Sequence, residues 1–229
     1  MSIRWVLILG MGMLTGSAAA QNATTLNTQK EKLSYALGMN IGGQMRAQGL
    51  DLDPDLFVQG LKTVLSGGKV LLTDEEAKAV LALLQNELQQ KQAEAAKILA
   101  EKNKKEGEAF LAANKAKEGV ITLDSGLQYK ILQAGTGKKP TAEDTVVCNY
   151  RGTFIDGTEF DSSYKRNQPA TFQVKGVIRG WTEALQLMAI GSKWQLFVPG
   201  GLAYGEAGRA PLIGPNATLI FEVELVSIK

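Results

Sequence analysis

Thr145-Val-Val-Cys-Asn-Tyr-Arg-Gly-Thr-Phe154, with Asp156-Gly-Thr-Glu-Phe-Asp-Ser-Ser163 close behind it, is the stretch on which the reading of this chain turns. Successive side chains of a strand point to opposite faces, so Val146, Cys148 and Tyr150 share one face of a strand predicted over 145–154. Outward from there to Phe221, aromatic and branched residues recur at strand spacing or just ahead of a helix: Tyr150, Phe160, Val177, Ile178, Trp181, Tyr204, Ile213 and Phe221. A single acid, Asp161, sits among them, and the chain contains no histidine. Such an apolar cup suits a reaction that needs desolvation and positioning, not a nucleophile with an imidazole base.

The strand-rich part opens at Gly119-Val-Ile-Thr-Leu123. Residues 126–132 alternate before a turn at Gly135-Thr-Gly137, and further strands are predicted near 171–175, 192–198 and 218–228. Ile178-Arg-Gly-Trp181 leads into a short helix reaching about Met188, which Gly191 ends. The architecture implied is α+β, an antiparallel sheet with one helix packed on its concave face.

The N-terminal half reads as helical. A first helix starts near Lys30, with Leu33, Ala36, Leu37 and Ile41 at helical spacing, and Gly42-Gly43 and Gln48-Gly49 are expected to break or loosen it. A second follows Asp53-Pro54, a capping acid and a first-turn proline, and stops at Ser66-Gly67-Gly68. Thr73-Asp-Glu-Glu76 has the form of a capping box opening a third helix, predicted from about Asp74 to Lys115. Its first half carries an apolar stripe, Val80, Leu81, Leu84 and Leu88. Residues 101–108 are nearly all charged around Gly107. A helix polar all round suits a bridge between domains. The short helices and the apolar half of the long one cannot bury their faces well alone, which a second copy of the chain would remedy.

Residues 1–20 are expected to be a cleavable signal peptide: Arg4, an apolar run from Trp5 to Leu14, then small residues ending at Ala18-Ala19-Ala20. The run falls short of the ~20 apolar residues needed to span a bilayer core. The expected organisation is therefore a signal peptide over 1–20, a helical dimerisation domain over 21–72, a connecting helix over 73–118 and a sheet domain over 119–229.

Lys and Arg number 25 against 23 Asp and Glu. The charge is balanced along the chain, which argues against a nucleic-acid binder. The one cysteine, Cys148, cannot form an intrachain disulfide and reads as a small core residue. No cofactor is expected. One cysteine without histidine leaves no zinc-type ligand set, and no calcium-loop spacing occurs. The glycine-rich stretches, Gly200-Gly201 and Gly205 to Gly214, lack the Lys-Ser/Thr and following helix of a phosphate loop.

Five ordered motifs carry a resemblance: Tyr150-Arg-Gly; Asp156-Gly-Thr-Glu-Phe160-Asp161-Ser-Ser; Val177-Ile178-Arg179-Gly180-Trp181; Ala203-Tyr204-Gly205; and Pro215-Asn-Ala-Thr-Leu-Ile-Phe221-Glu-Val-Glu-Leu. Together, from about Leu123 to Lys229, they resemble an FK506-binding-protein (FKBP) type prolyl isomerase domain. Lys32-Leu-Ser-Tyr-Ala-Leu-Gly38 and Gly107-Glu-Ala-Phe-Leu111 with Asn114 resemble the macrophage-infectivity-potentiator (Mip) subgroup of exported bacterial FKBPs.

The resemblance implies a peptidyl-prolyl cis–trans isomerase (rotamase). Its implied partners are proline-containing unfolded or folding polypeptides, with macrolides such as FK506 and rapamycin as ligands. It implies a periplasmic location, with outer-membrane association as the variant. It also implies a V-shaped homodimer joined through the N-terminal helices, and a chaperone role beside the enzymatic one.

Carried onto this chain, the match makes Trp181 the floor of the cup and Tyr150, Phe160, Val177, Ile178 and Phe221 its walls. Ile178 N–H and Tyr204 O–H are the implied donors to substrate. Asp161 lies near the twisting carbonyl, Arg166 pairs with Asp161, and Leu212 and Ile213 belong to a flap over the cup. Two positions depart from the family pattern. Ala170 stands where an aromatic is common, which thins one wall, and Arg209 stands where many eukaryotic members carry a flap histidine.

Overall fold

In this computed structural model, residues 25–229 are described; the signal-peptide expectation for 1–20 lies outside them. The chain divides into two compact units, Met1–Thr73 and Asp74–Lys229.

The first unit holds two helices, α1 (Gln29–Ala47) and α2 (Pro54–Leu65). A capping box that the sequence reading did not pick out starts α1. Thr28 Oγ1 accepts from Glu31 N–H, and the Glu31 carboxylate accepts from Thr28 N–H. Those backbone hydrogen bonds hold the Glu31 carboxyl below its usual pKa. The helix runs unbroken through Gly42-Gly43, which were expected to interrupt it, and ends at Gln48, where Gly49 takes φ +66°. In α2, Asp53 accepts from Asp55 and Leu56 N–H, with Pro54 in the first turn. No residue of either helix is buried.

The second unit begins with α3 (Asp74–Asn114), a single helix of 41 residues, roughly 60 Å at ~1.5 Å per residue. Next come β1 (Val120–Thr122), β2 (Gln128–Gln133), β3 (Thr145–Phe154), β4 (Glu159–Ser162), β5 (Ala170–Gln173), α4 (Arg179–Leu187), β6 (Lys193–Val198) and β7 (Leu219–Ile228). The seven strands form one antiparallel sheet ordered β1-β2-β6-β7-β3-β4, with β5 also on β3. The short β4 carries Phe160 and Asp161 and was not foreseen as a strand.

Cross-strand partners share a face, so the register defines the core. Tyr150 pairs with Val223, Gly152 with Phe221, Leu196 with Phe221 and Trp194 with Val223. That face packs on α4, which buries Trp181, Ala184 and Leu185. The core includes Cys148, fully buried, with its thiol pKa pushed up by desolvation to about 12. At neutral pH it is a protonated, inert packing group.

The opposite face of the sheet, at β2 and β6, is covered by the end of α3. The Phe110 and Phe197 rings lie 6.0 Å apart, and Lys117 stands over Phe110. Gln128 accepts from Asn114 at 2.9 Å and donates to Leu111 C=O at 2.9 Å. Gly107 is buried, and a Cβ added there would lie 2.1 Å from Thr218 Oγ1. The charged stretch expected to be a solvated bridge therefore docks through Asn103, Gly107, Phe110 and Asn114. Phe110 apart, its contact stripe is small or polar, which hid it from an apolar-periodicity reading. Val80 and Leu81, in the first half of the helix, remain exposed.

Candidate functional site

β3, β4 and the N-terminus of α4 build the site. The end of β4 and Ser163 after it are stapled onto β3. Ser163 Oγ accepts from Tyr150 N–H, and Ser163 N–H donates to Tyr150 C=O, both at 2.9 Å. This fixes Asp161 beside the Tyr150 ring. Gly152 lies opposite Phe221 and leaves room for two rings: a Cβ there would fall 2.7 Å from Phe160 and 2.9 Å from Phe221.

The resulting cavity has a volume of about 510 Å³. Trp181, 3% exposed, forms its base. Around it stand Tyr150 at 5.4 Å, Phe172 at 5.6 Å and Phe221 at 5.3 Å, each at 80–85° to the indole. Phe160 meets Phe221 edge-on at 5.6 Å. Such edge-to-face pairs are worth about 0.5–1.5 kcal/mol each beyond burial, enough to hold rigid walls.

Of the residues expected at the site, Tyr150, Phe160, Asp161, Val177, Ile178, Trp181, Tyr204, Leu212, Ile213 and Phe221 line this one cavity. Arg166 does not line it but reaches it through hydrogen bonds. Arg166 Nη1 donates to Asp161 Oδ1 at 2.6 Å and Nη2 to Tyr150 Oη at 2.8 Å, while Tyr150 O–H donates to Asp161 Oδ2 at 2.5 Å. Ser162 N–H adds a fourth bond to the carboxylate cluster.

Partial burial of Asp161 pushes its pKa up. The hydrogen bonds from Tyr150, Arg166 and Ser162 and the guanidinium charge outweigh this and hold the carboxyl below its usual value of 3.8. Desolvation and the neighbouring carboxylate push Tyr150 above its usual 10.0. The cluster is thus an ionised acid held by a protonated phenol and a cation.

Ile178 caps α4, and no acceptor takes its N–H among the described residues. Tyr204 Oη accepts from Arg209 Nη1 at 3.1 Å, which leaves its own hydrogen to donate into the cavity. Leu212, 67% exposed, stands on the rim, whereas Ile213 is buried.

Phe172, Gly176, Arg209 and Ala210 also line the cavity and were not expected there, two of them with side chains that shape it. Phe172 is a full wall, and Arg209 is the partner of Tyr204. The available signal for Phe172 was its place on the strand predicted near 171–175. β5 pairs Phe172 with Val146 and Ala170 with Cys148, on the core face. Ala170 does not line the cavity, and Phe172 supplies an aromatic wall between Tyr150 and Trp181. No group of His, Cys, Asp and Glu that could hold a metal occurs among the described residues.

Comparison with known proteins gives the family. Residues 136–226 match the family model described as FKBP-type peptidyl-prolyl cis-trans isomerase. Residues 30–131 match the domain amino terminal to it. The chain is 51% identical over 222 residues to "Outer membrane protein MIP" of Legionella longbeachae, covering 97% of this chain and 95% of that one. It is 47% identical to "Peptidyl-prolyl cis-trans isomerase Mip" of Coxiella burnetii, covering 96% of each. Among solved structures, Escherichia coli FkpA superposes with a TM-score of 0.69 at 36% identity, over 90% of this chain and 99% of that one. These matches, spanning both units, show that the chain belongs to the Mip-like FKBP-type peptidyl-prolyl cis–trans isomerases.

Proposed function

We propose that the cup speeds rotation about X–Pro bonds of exported polypeptides by desolvating and twisting the amide, with no proton transfer. The barrier, about 18–20 kcal/mol, is amide resonance. The twisted amide is less charge-separated than the planar one, so a dry aromatic pocket favours it. The observation that carries this reading is Trp181 at the base of a cavity whose only lining acid, Asp161, is held ionised by Arg166 and Tyr150. In this reading the proline ring sits on Trp181, Ile178 N–H and Tyr204 O–H hold substrate carbonyls, and Asp161 faces the twisting carbonyl. Val177, Phe160, Phe221 and the flap residues Leu212 and Ile213 exclude water. FK506 and rapamycin would use the same base and the same two donors.

Export by a cleavable signal peptide to the periplasm or the outer membrane fits the N-terminal pattern of the sequence and the printed name of the Legionella relative. No helix among the described residues is long and apolar enough to cross a membrane. Homodimer formation through the N-terminal helices, with a chaperone role, is supported by the exposed apolar residues of α1 and α2, including Leu33, Leu37, Leu61 and Val64.

The test is proline-limited refolding of a substrate protein with catalytic amounts of residues 21–229, beside Trp181→Ala and Asp161→Ala. Acceleration that drops in both variants, with their circular dichroism unchanged, is expected. Full acceleration by a folded Trp181→Ala protein would refute the cup as the working site.

A further inference from the structure

The flap is held from outside the sheet domain as well as from within it. Its two limbs are joined by a reciprocal pair of hydrogen bonds, Arg209 N–H to Ile213 C=O at 2.7 Å and Ile213 N–H to Arg209 C=O at 2.9 Å. On the inner side, Asn216 N–H donates to Gly205 C=O at 2.7 Å, next to Tyr204. Asn216 itself takes φ +54°, a conformation asparagine tolerates better than most residues. On the outer side, Asn103 of α3 donates from Nδ2 to Pro215 C=O at 2.8 Å. A Cβ on Gly214 would meet Asn103 Nδ2 at 3.1 Å and Leu99 Cδ2 at 3.2 Å, so α3 lies against the flap at that residue. The next residue inward is Ile213, which lines the cavity.

From this we infer that Asn103 is a positioning residue for the isomerase site, which makes α3 part of the substrate-binding apparatus. It fixes the Pro215 carbonyl, and with it Gly214 and the depth at which Ile213 enters the cup. The Arg209–Ile213 pair passes that setting to Arg209, whose guanidinium bonds Tyr204 Oη. The base of the cup and Asp161 are carried by α4 and β4 and not by the flap this anchor holds, so the anchor governs substrate capture more than the rotation step. The inference rests on the cup being the substrate site, and Trp181→Ala is run beside it to test that premise separately.

The experiment compares the mature chain with Asn103→Asp, which keeps the shape of the side chain but removes the amide donor. Asn103→Gln restores a donor on a longer stem, and Lys105→Ala serves as a control on the same turn. With a short X–Pro peptide, Asn103→Asp should raise KM roughly three- to tenfold, the worth of one hydrogen bond, with kcat within about twofold. Asn103→Gln should recover part of the loss. Amide hydrogen exchange should speed up at Ile213 and Asn216 but not in β3 or β7. If Trp181→Ala abolishes turnover while Asn103→Asp leaves both KM and flap exchange unchanged, the positioning role is wrong and the cup reading stands. Exchange that rises throughout the sheet with no recovery in Asn103→Gln would also overturn it, since that marks a merely structural contact. If Trp181→Ala keeps full turnover, the premise itself fails.

Discussion

Asp161 keeps its charge inside an aromatic cup because hydrogen bonds from Tyr150 O–H, Ser162 N–H and the Arg166 guanidinium, with the guanidinium's charge, outweigh its desolvation. Its folded pKa lies below the ordinary 3.8, so its stabilising contribution is fully present above that value and is lost as pH falls through the folded pKa. Replacing Arg166 by Ala should raise the Asp161 pKa, as read by a carboxyl NMR titration. The stability gap between the two proteins should then be widest near neutral pH and close in acid. An unchanged Asp161 titration would show that the pair does not set the charge. The Asp161–Arg166 pair was implied by the family resemblance. Phe172 was not, because its place on the strand predicted near 171–175 gave no sign of which face it takes. Only the pairing of β5 with β3 sets it opposite Val146 and turns it into the cup. Arg209 was seen as a departure from the family, but its bond to Tyr204 depends on the flap closing back on itself.

At the scale of elements, α3 joins a sheet it was not expected to touch. Its length and start were readable from the absence of proline and the acidic first turn. Its docking was not, because the stripe at Asn103, Gly107, Phe110 and Asn114 is mostly small or polar and fits by shape and hydrogen bonding. Gly107 decides the approach. Gly107→Leu should gain up to about 1 kcal/mol of helix propensity. It should lose roughly 1–3 kcal/mol from overpacking against Thr218, for a net destabilisation. Urea unfolding followed by tryptophan fluorescence measures the balance, and a stabilised variant would mean that the helix end is not packed there in solution. The long β3 and β7 were readable because their faces alternate. β4 was missed because its Asp156-Gly-Thr approach reads as a turn and the strand is only four residues long, with a register shift between Glu159 and Asp161.

For the molecule as a whole, the two units differ in how their apolar groups are treated. The C-terminal unit buries a continuous core, whereas α1 and α2 leave Leu33, Leu37, Leu56, Leu61 and Val64 exposed. So many exposed apolar residues suit an interface, and a second copy is the occupant proposed above. Leu61→Glu should shift sedimentation from dimer to monomer. The kcat/KM for a short X–Pro peptide should stay within about twofold, because the cup lies wholly in the other unit. A Leu61→Glu protein that remains dimeric would remove α2 from the interface.

The central claim is that isomerisation here needs a dry, rigid cup and no proton transfer. The most direct test is kcat/KM for an X–Pro peptide across pH in water and in deuterium oxide. The account predicts a flat profile from about pH 5 to 9 and a solvent isotope effect close to unity, since general acid–base catalysis would impose a limb or bell. A bell-shaped profile, or a clear slowing in deuterium oxide, would contradict it.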